Sequence, residues 1–451
     1  MKIRRLATID FPPFANGALN FPPVPDRPKD LAEVHLLTGV NGAGKSRVLC
    51  ALAAVLGEDR PLRERCAGSG TAEFGVMVET TPMQAGPVVQ MTVGKDGVNV
   101  KGNAGTIVRE RLGKIPAYAS AGGAYLREDA EDGGRGGRSS SVYAAVSGDA
   151  QFAPLLFHKP ARHTADFMQA LTNLYVKTLA DKQEGKKQSR AGRMLTAILD
   201  SLRATTDSEI SLSLADSSTP ALELRWRGVP LALNQLPDGL RALLGWMVDA
   251  ALMLDMVCGR ERDPFSEPSI ILLDEVEAHL HPKWQRKLLP AFQRMFPAAQ
   301  IFVATHSPFV ISSLNCGWIH VLKAGKDGTI EMQPPQAASP GDSYPSVLAE
   351  IMDVEEWYDV ETEKLLAQFR EVRDKALAGD AKSAVKAREL GQTIGQRSHE
   401  LGAIMGAELA RLAAASPGLR LPGMKPLTHG LARTAGHGLS KRAVAKKYLP
   451  E

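Results

Sequence analysis

Along the first third of the chain, apolar residues come in short blocks of strand length. Ile3 to Ile9 alternates and predicts a first strand. Val34-His35-Leu36-Leu37 is a short continuous apolar run, the pattern of a strand buried on both faces. Val48 to Leu56 is a longer apolar run, of helix length. Phe74 to Glu79, Val88 to Val93 and Val98 to Val100, the last after the turn Lys95-Asp96-Gly97, predict an antiparallel meander. Pro116 to Ala119 reads as another buried strand. The period then changes. Phe167, Leu171, Leu174, Tyr175 and Leu179 recur at helical spacing between Thr164 and Gln183. After the polar stretch Lys182 to Arg190, Met194, Leu195, Ile198, Leu199 and Leu202 predict a second helix, so the two form a hairpin.

Strand patterns return at Glu209 to Leu214 and Ala221 to Trp226. Ser269 to Glu275 and Ile301 to Ala304 are continuous apolar runs, expected as buried parallel strands. Pro282 opens a helix carrying Trp284, Leu288, Leu289 and Phe292. Trp318 to Lys323 and Thr329 to Met332 close a hairpin around Lys326-Asp327-Gly328. Pro12 to Pro28 and Arg60 to Gly70 read as irregular connections, and Glu131 to Ser140 as a glycine- and arginine-bearing loop. Beyond the break at Pro334 to Pro345, Ser346 to Leu412 is largely helical. The expected division is one α/β core in two halves, residues 1–158 and 207–335, separated by a helical insert at 159–206. A helical appendage at 340–415 and a basic tail at 416–451 follow.

Composition changes this picture little: 44% hydrophobic and 23% charged residues describe a soluble globular protein. Charge changes it more. The net charge is +4, yet Pro417 to Glu451 alone carries seven Lys or Arg against one acid. The body is therefore slightly acidic, and pI gives no reason to assign it nucleic acid. Four scattered cysteines without a CxxC pair indicate neither zinc nor a disulfide framework. Met1-Lys2-Ile3-Arg4-Arg5 is basic, but no apolar run of signal-peptide length follows. Ala242 to Cys258 contains Asp249 and Asp255 and is too short to span a bilayer. A cytoplasmic protein with no membrane partner is expected.

The chemistry lies in three segments. Gly39-Val40-Asn41-Gly42-Ala43-Gly44-Lys45-Ser46 sits between the Val34 strand and the Val48 helix, the context in which such a loop cradles phosphates. Its glycines let backbone N–H groups turn inward, and the following helix presents its positive end to an anion. Asn41, Gly42, Gly44, Lys45, Ser46 and Arg47 are the candidate contacts, with ATP the expected nucleotide. Lys45 reaches the β- and γ-phosphates and the Ser46 hydroxyl ligates Mg²⁺. The strand ending at Asp274-Glu275 places two carboxylates where open α/β sheets bind ligands. Asp274 suits Mg²⁺, and Glu275 suits polarising the attacking water. His306, at the tip of the Ile301 strand, offers an N–H to a γ-phosphate in either protonation state.

Together these segments resemble ABC-type ATPases of the SMC, RecF and OLD group, over most of residues 1–335. Gly39–Ser46 corresponds to Walker A, Ile270–Glu275 to Walker B, and Thr305-His306-Ser307-Pro308 to the switch-histidine segment. Asp274 to Pro282 is similar to the variant this group carries where transporters have a D-loop, with His281 at the usual aspartate position. The signature segment departs from the family: Leu-Ser-x-Gly is replaced by Leu236-Pro237-Asp238-Gly239, followed by Leu240-Arg241. Proline removes a hydroxyl donor, while the Gly239 N–H and the helix end remain. The resemblance implies that Gly239 contacts, in trans, the γ-phosphate held by another copy. Gln84 and Gln90 are the candidates for a Q-loop glutamine. His279-x-His281 has metal-binding spacing, but the family pattern accounts for both residues. Asp353, Glu355 and Glu356 lie in helix-like sequence without preceding strands, so no Toprim-type nuclease is expected.

The resemblance implies a homodimer or higher homo-oligomer, and extends to the stand-alone ATPases of bacterial anti-phage systems, Septu-like ones in particular. There it implies a separate effector, a nuclease or toxin, governed by nucleotide state, and leaves nucleic acid open as a partner. The alternatives are a nucleotide-gated scaffold with little hydrolysis and a RecF- or SMC-like DNA repair ATPase. The short hairpin at Thr164 to Leu202 disfavours a long SMC-type arm. A transporter subunit is disfavoured by the Glu277–Pro282 variant and the helical C-terminal region.

Overall fold

Continuous apolar runs become parallel strands in this chain, and alternating ones become antiparallel strands. A computed structural model describes residues 1–66, 70–79, 88–95, 97–112, 115–121, 164–186, 189–214, 222–232, 235–259, 262–325, 327–339, 341, 343–354 and 356–415. The first half carries β1 (Lys2–Asp10), β2 (Gly17–Asn20), β3 (Glu33–Gly39), α1 (Lys45–Leu56), α2 (Arg60–Cys66), β4 (Ala72–Glu79), β5 (Val88–Gly94), β6 (Gly97–Lys101), α3 (Asn103–Leu112) and β7 (Ala117–Ala121). The hairpin α4 (Thr164–Gln183) and α5 (Arg190–Thr206) comes next, then β8 (Ile210–Leu214), β9 (Leu222–Trp226) and β10 (Val229–Leu231). The second half adds α6 (Asp238–Cys258), β11 (Ile270–Asp274), α7 (Pro282–Met295), β12 (Gln300–Ala304), α8 (Pro308–Ile311), β13 (Trp318–Ala324), β14 (Ile330–Met332), β15 (Gln336–Ala337) and α9 (Tyr344–Glu350).

Two sheets enclose α1. One is antiparallel, in the order β2-β1-β4-β5-β6; the other runs β14-β13-β3-β12-β11-β7, with β15 also on β13. In the second sheet β13, β3, β12, β11 and β7 are parallel, each to its neighbour. Helix α1 is buried from Val48 to Leu56, as a helix apolar on every side must be. Its neighbours in the core come from both sheets, among them Leu6, Phe74 and Val76 on one side and Leu37, Leu272 and Phe302 on the other. The fold is α/β: a mixed sheet plus an antiparallel meander, with an inserted helical hairpin and a helical C-terminal region. A third, three-stranded sheet, β10-β9-β8, follows the insert.

The two connections expected to be irregular are corrected by the structure. Within Pro12 to Pro28, β2 pairs with β1, and Phe14, Leu19 and Phe21 are buried. The prolines only punctuate a segment whose aromatic side chains must leave water. Within Arg60 to Gly70, residues Arg60–Cys66 form α2. Pro61 sits in the first turn, where its missing N–H costs nothing, and the Leu62 and Arg63 N–H groups donate to the Asp59 carbonyl. The Glu131–Ser140 loop and the tail from residue 416 lie outside the described residues.

Arg190, at the end of the polar stretch between the hairpin helices, is anchored to α6. Its Nε donates to Asp255 Oδ1 at 2.6 Å, and its guanidinium also reaches the Gly259 carbonyl at the end of α6. Lys186 pairs with Glu184 at 2.7 Å, and Lys187 lies outside the described residues.

Residues Met1–Val347 and Leu348–Glu451 are two separate compact units. The described helices of the second are α10 (Val360–Leu377), α11 (Ala381–Gly395) and α12 (His399–Ala415). Asp359 caps α10 and Asp380 caps α11, each accepting from two backbone N–H groups. Leu366, Phe369, Ile394, Leu401, Met405 and Leu409 form part of their shared core. Among the described residues no helix is long and apolar enough to cross a membrane.

Candidate nucleotide-binding site

Strands β3, β12 and β11 lie side by side and end on the same edge of the sheet. Leu37 is in register with Ala304, and Ala304 with Asp274. The Thr305 N–H donates to the Leu37 carbonyl at 3.1 Å and the Glu275 N–H to the Ala304 carbonyl at 3.0 Å. Neighbouring strands are about 4.8 Å apart, so segments remote in sequence meet within about 10 Å.

The loop after β3 enters α1 through Gly44, whose φ is +82°. A Cβ there would lie 2.5 Å from the Phe14 ring, so both the backbone angle and the space require glycine. Lys45 is 6% exposed. Its Nζ donates to the carbonyls of Gly39 at 2.9 Å and Val40 at 3.1 Å, which folds the loop around its own cation. Burial pushes the Lys45 pKa down to about 8, against the opposing charges of Asp274, Glu277 and Glu275. Asn41 and Gly42 stand exposed at the loop's crest. The Arg47 guanidinium lies over the Phe11 ring, 5.4 Å from its centre.

The Ser46 hydroxyl lies near the Asp274 carboxylate and favours its ionised form. Asp274 is 5% exposed, and burial raises its pKa above the usual carboxylate value. The Glu275 charge adds to that rise, while Ser46, Arg65 and Lys45 oppose it. A hydroxyl facing a buried carboxylate fits Mg²⁺, which takes one or two protein oxygens and completes its octahedron with water and phosphate.

Glu275 is exposed, and its φ of +52° places it in the left-handed region. Such a conformation costs about 1 kcal/mol or more in a non-glycine residue and concentrates at functional sites. His306 follows β12. Burial lowers its pKa below 6.5, and the Lys45 charge lowers it further. The imidazole is therefore neutral at pH 7 and carries one N–H. Lys45 feels the charges of Asp274, Glu277 and Glu275, and His306 those of Lys45, Glu277 and Glu275, so these groups lie near one another at the strand ends.

Glu277, part of the D-loop-like variant, and Gln285, not a candidate on sequence grounds, also belong to this cluster. Glu277 Oε2 accepts from the Thr305 hydroxyl at 2.6 Å and Oε1 from the His306 N–H at 2.7 Å. Gln285 Oε1 accepts from the Ser307 hydroxyl at 2.6 Å, and its Nε2 donates to the Leu280 carbonyl at 2.9 Å. Their bonds to the switch segment appear only where the Glu277 loop and α7 meet the β12 tip.

Gly239 is placed elsewhere, in the first turn of α6. Pro237 is the N-cap and supplies no side-chain acceptor. Asp238 pairs with Arg241. A Gly239 Cβ would lie 2.8 Å from Trp284 Cζ3 and 3.3 Å from the His279 carbonyl oxygen. His281 caps α7, its Nδ1 accepting from the Lys283 N–H at 3.2 Å, while His279 has a φ of +62°. Gln90 is exposed on β5 of the antiparallel sheet, and Gln84 lies outside the described residues.

Strand order sets a candidate phosphate loop, a buried carboxylate and a strand-tip histidine on one edge of an α/β core. Residues 151–312 match a protein family described as "AAA domain, putative AbiEii toxin, Type IV TA system". The chain is 34% identical over 98 residues to "Retron Ec83 probable ATPase" of Escherichia coli, covering 22% of this chain and 18% of that protein. It is 28% identical over 156 residues to "Retron Vc95 probable ATPase" of Vibrio cholerae, covering 34% and 30%. To the Septu protein PtuA of Bacillus mycoides it is 31% identical over 90 residues, covering 20% and 12%. These alignments span under a third of each relative. Among solved structures, an SMC head bound to the C-winged helix domain of ScpA aligns with a TM-score of 0.43 at 14% identity, over 75% of this chain and 98% of the other. The SMC head domain of Thermotoga maritima gives 0.38 at 16%, over 74% and 99%. Over part of its length the chain is thus similar to retron probable ATPases and to Septu PtuA proteins.

Proposed function

We propose that this chain binds and hydrolyses ATP as the regulatory ATPase of a bacterial anti-phage system, controlling a separate effector such as a nuclease. The observation that carries the ATPase reading is the meeting of Lys45, Ser46, Asp274, Glu275 and His306 at one sheet edge. Lys45 and the loop amides hold the triphosphate. Ser46 and Asp274 would hold Mg²⁺, which supplies charge neutralisation between the β- and γ-phosphates. Glu275, exposed at the strand end, accepts a proton from the attacking water. His306 donates its imidazole N–H to the γ-phosphate. Gly239 of a second copy completes the site, so the working form is a homodimer or higher homo-oligomer. The defence role rests on the retron and Septu relatives.

A second reading, a nucleotide-gated scaffold, is favoured by one feature: Pro237 leaves the first turn of α6 without a side-chain cap. Steady-state ATPase of wild type and Glu275→Gln separates the two readings. Hydrolysis predicts a fall of about 100-fold or more in the variant with nucleotide binding retained. Equal, negligible turnover in both, with normal binding, selects the scaffold.

A further inference from the structure

The stretch from Glu277 to Gln285 touches two parts of the molecule at once. On one side it holds the switch segment. Glu277 accepts from both the Thr305 hydroxyl and the His306 N–H, and Gln285 accepts from the Ser307 hydroxyl. On the other side Trp284 and the His279 carbonyl press on the first turn of α6 at Gly239. Gln285 Nε2 also bonds the Glu277 and Leu280 carbonyls, at 3.3 and 2.9 Å, which ties the stretch to itself.

We propose that Glu277 is a positioning residue for hydrolysis: with Gln285 it locks the His306 backbone to the loop that packs on the α6 first turn, so His306 moves with that turn. The inference rests on the proposed roles of Lys45, Glu275 and His306. In an assembly, the α6 turn serves the neighbouring copy's nucleotide while His306 serves its own, so this lock joins the half-site a protomer donates to the half-site it owns.

The chemistry of the lock separates it from a catalytic carboxylate. Both partners of Glu277 are donors, and Thr305 is fully buried. Removing the acceptor leaves two donors unpaired, which is what makes its loss costly. A glutamine can replace it. Its Oε1 accepts from the His306 N–H, and its Nε2 donates to Thr305 Oγ1, which has a second lone pair beside the one used by the Ser307 N–H. Glu275 differs, because an amide cannot take a proton from water.

The test compares turnover and the affinity for a fluorescent ATP analogue in wild type, Glu277→Ala, Glu277→Gln, Glu275→Gln and Lys45→Ala, with thermal melting to confirm folding. Glu277→Ala should lose about 10- to 100-fold in kcat, because a misplaced group near the chemistry costs that much. Its affinity should stay within about threefold of wild type, since the phosphate loop is untouched. Glu277→Gln should recover most of the loss, while Glu275→Gln remains inactive. If Glu277→Gln is as inactive as Glu275→Gln, Glu277 acts through its charge and the lock is wrong; wild-type kcat in Glu277→Ala also overturns it. Should Glu277→Ala fail to fold, Gln285→Ala decides: a severalfold lower kcat at unchanged affinity supports the lock, and wild-type kcat rejects it. Wild-type turnover no greater than that of Lys45→Ala overturns the ATPase reading itself, whatever the Glu277 variants do.

Discussion

At the scale of single residues, the phosphate loop shows how burial prepares a cation for an anion. Lys45 is buried and donates to two loop carbonyls, and burial takes its pKa down to about 8. Phosphate oxygens favour the charged form and restore a higher value, so nucleotide binding above pH 8 takes up a proton. Affinity should therefore fall as pH rises past about 8, approaching tenfold per unit. Calorimetry in two buffers of different ionisation heat should report the uptake, and a dissociation constant flat from about pH 7 to 9.5 would remove Lys45 from the phosphates. Gly44 carries a sharper constraint. Gly44→Ala meets both a left-handed backbone angle and the Phe14 ring. It should cost about 1–3 kcal/mol in urea denaturation and abolish nucleotide binding. The glycine and the lysine were legible from spacing alone. Phe14 as the reason for the glycine was not, because a ring beneath a loop leaves no mark on the loop's own sequence.

At the scale of elements, periodicity located what is long and regular and missed what is short. The bounds of α4 were readable because its apolar spacing repeats over five turns or so. Helix α2, seven residues long, was hidden because its proline reads as a breaker unless the first turn is recognised. Helix α6 carries a different lesson. Gly239 was read for its N–H toward a neighbouring copy, yet Trp284 supplies a local reason for the same residue. The two demands predict opposite outcomes for Gly239→Ala. Helix propensity alone would stabilise by about 1 kcal/mol. A contact of 2.8 Å with an indole ring should instead destabilise by about 1–3 kcal/mol, as overpacking does. The urea midpoint decides, and a gain in stability would show that Trp284 yields.

At the scale of the whole molecule, the trans role proposed for Gly239 sets the expectation for assembly. If Gly239 of one copy closes the site of another, ATP should drive self-association and hydrolysis should release it. Glu275→Gln with ATP should then hold a dimer or larger species in light scattering, where wild type returns to the smaller form as ATP is consumed; a species unchanged by ATP in either protein would place the complete site within one chain. By itself the amino-acid sequence determined the local parts: a strand–loop–helix for phosphate, a carboxylate pair ending an apolar strand, a histidine ending another. Each is encoded within a dozen residues, so turn chemistry and hydrophobic period reveal it. Only the tertiary structure decided that β12 lies between β3 and β11, which sets the three motifs on one edge. It alone assigned Glu277 and Gln285 to the switch, since their hydrogen bonds join residues more than twenty positions apart. Strand order and such long-range bonds are settled by the packing of the two sheets about α1, where the free energy belongs to the assembled core and to no single segment.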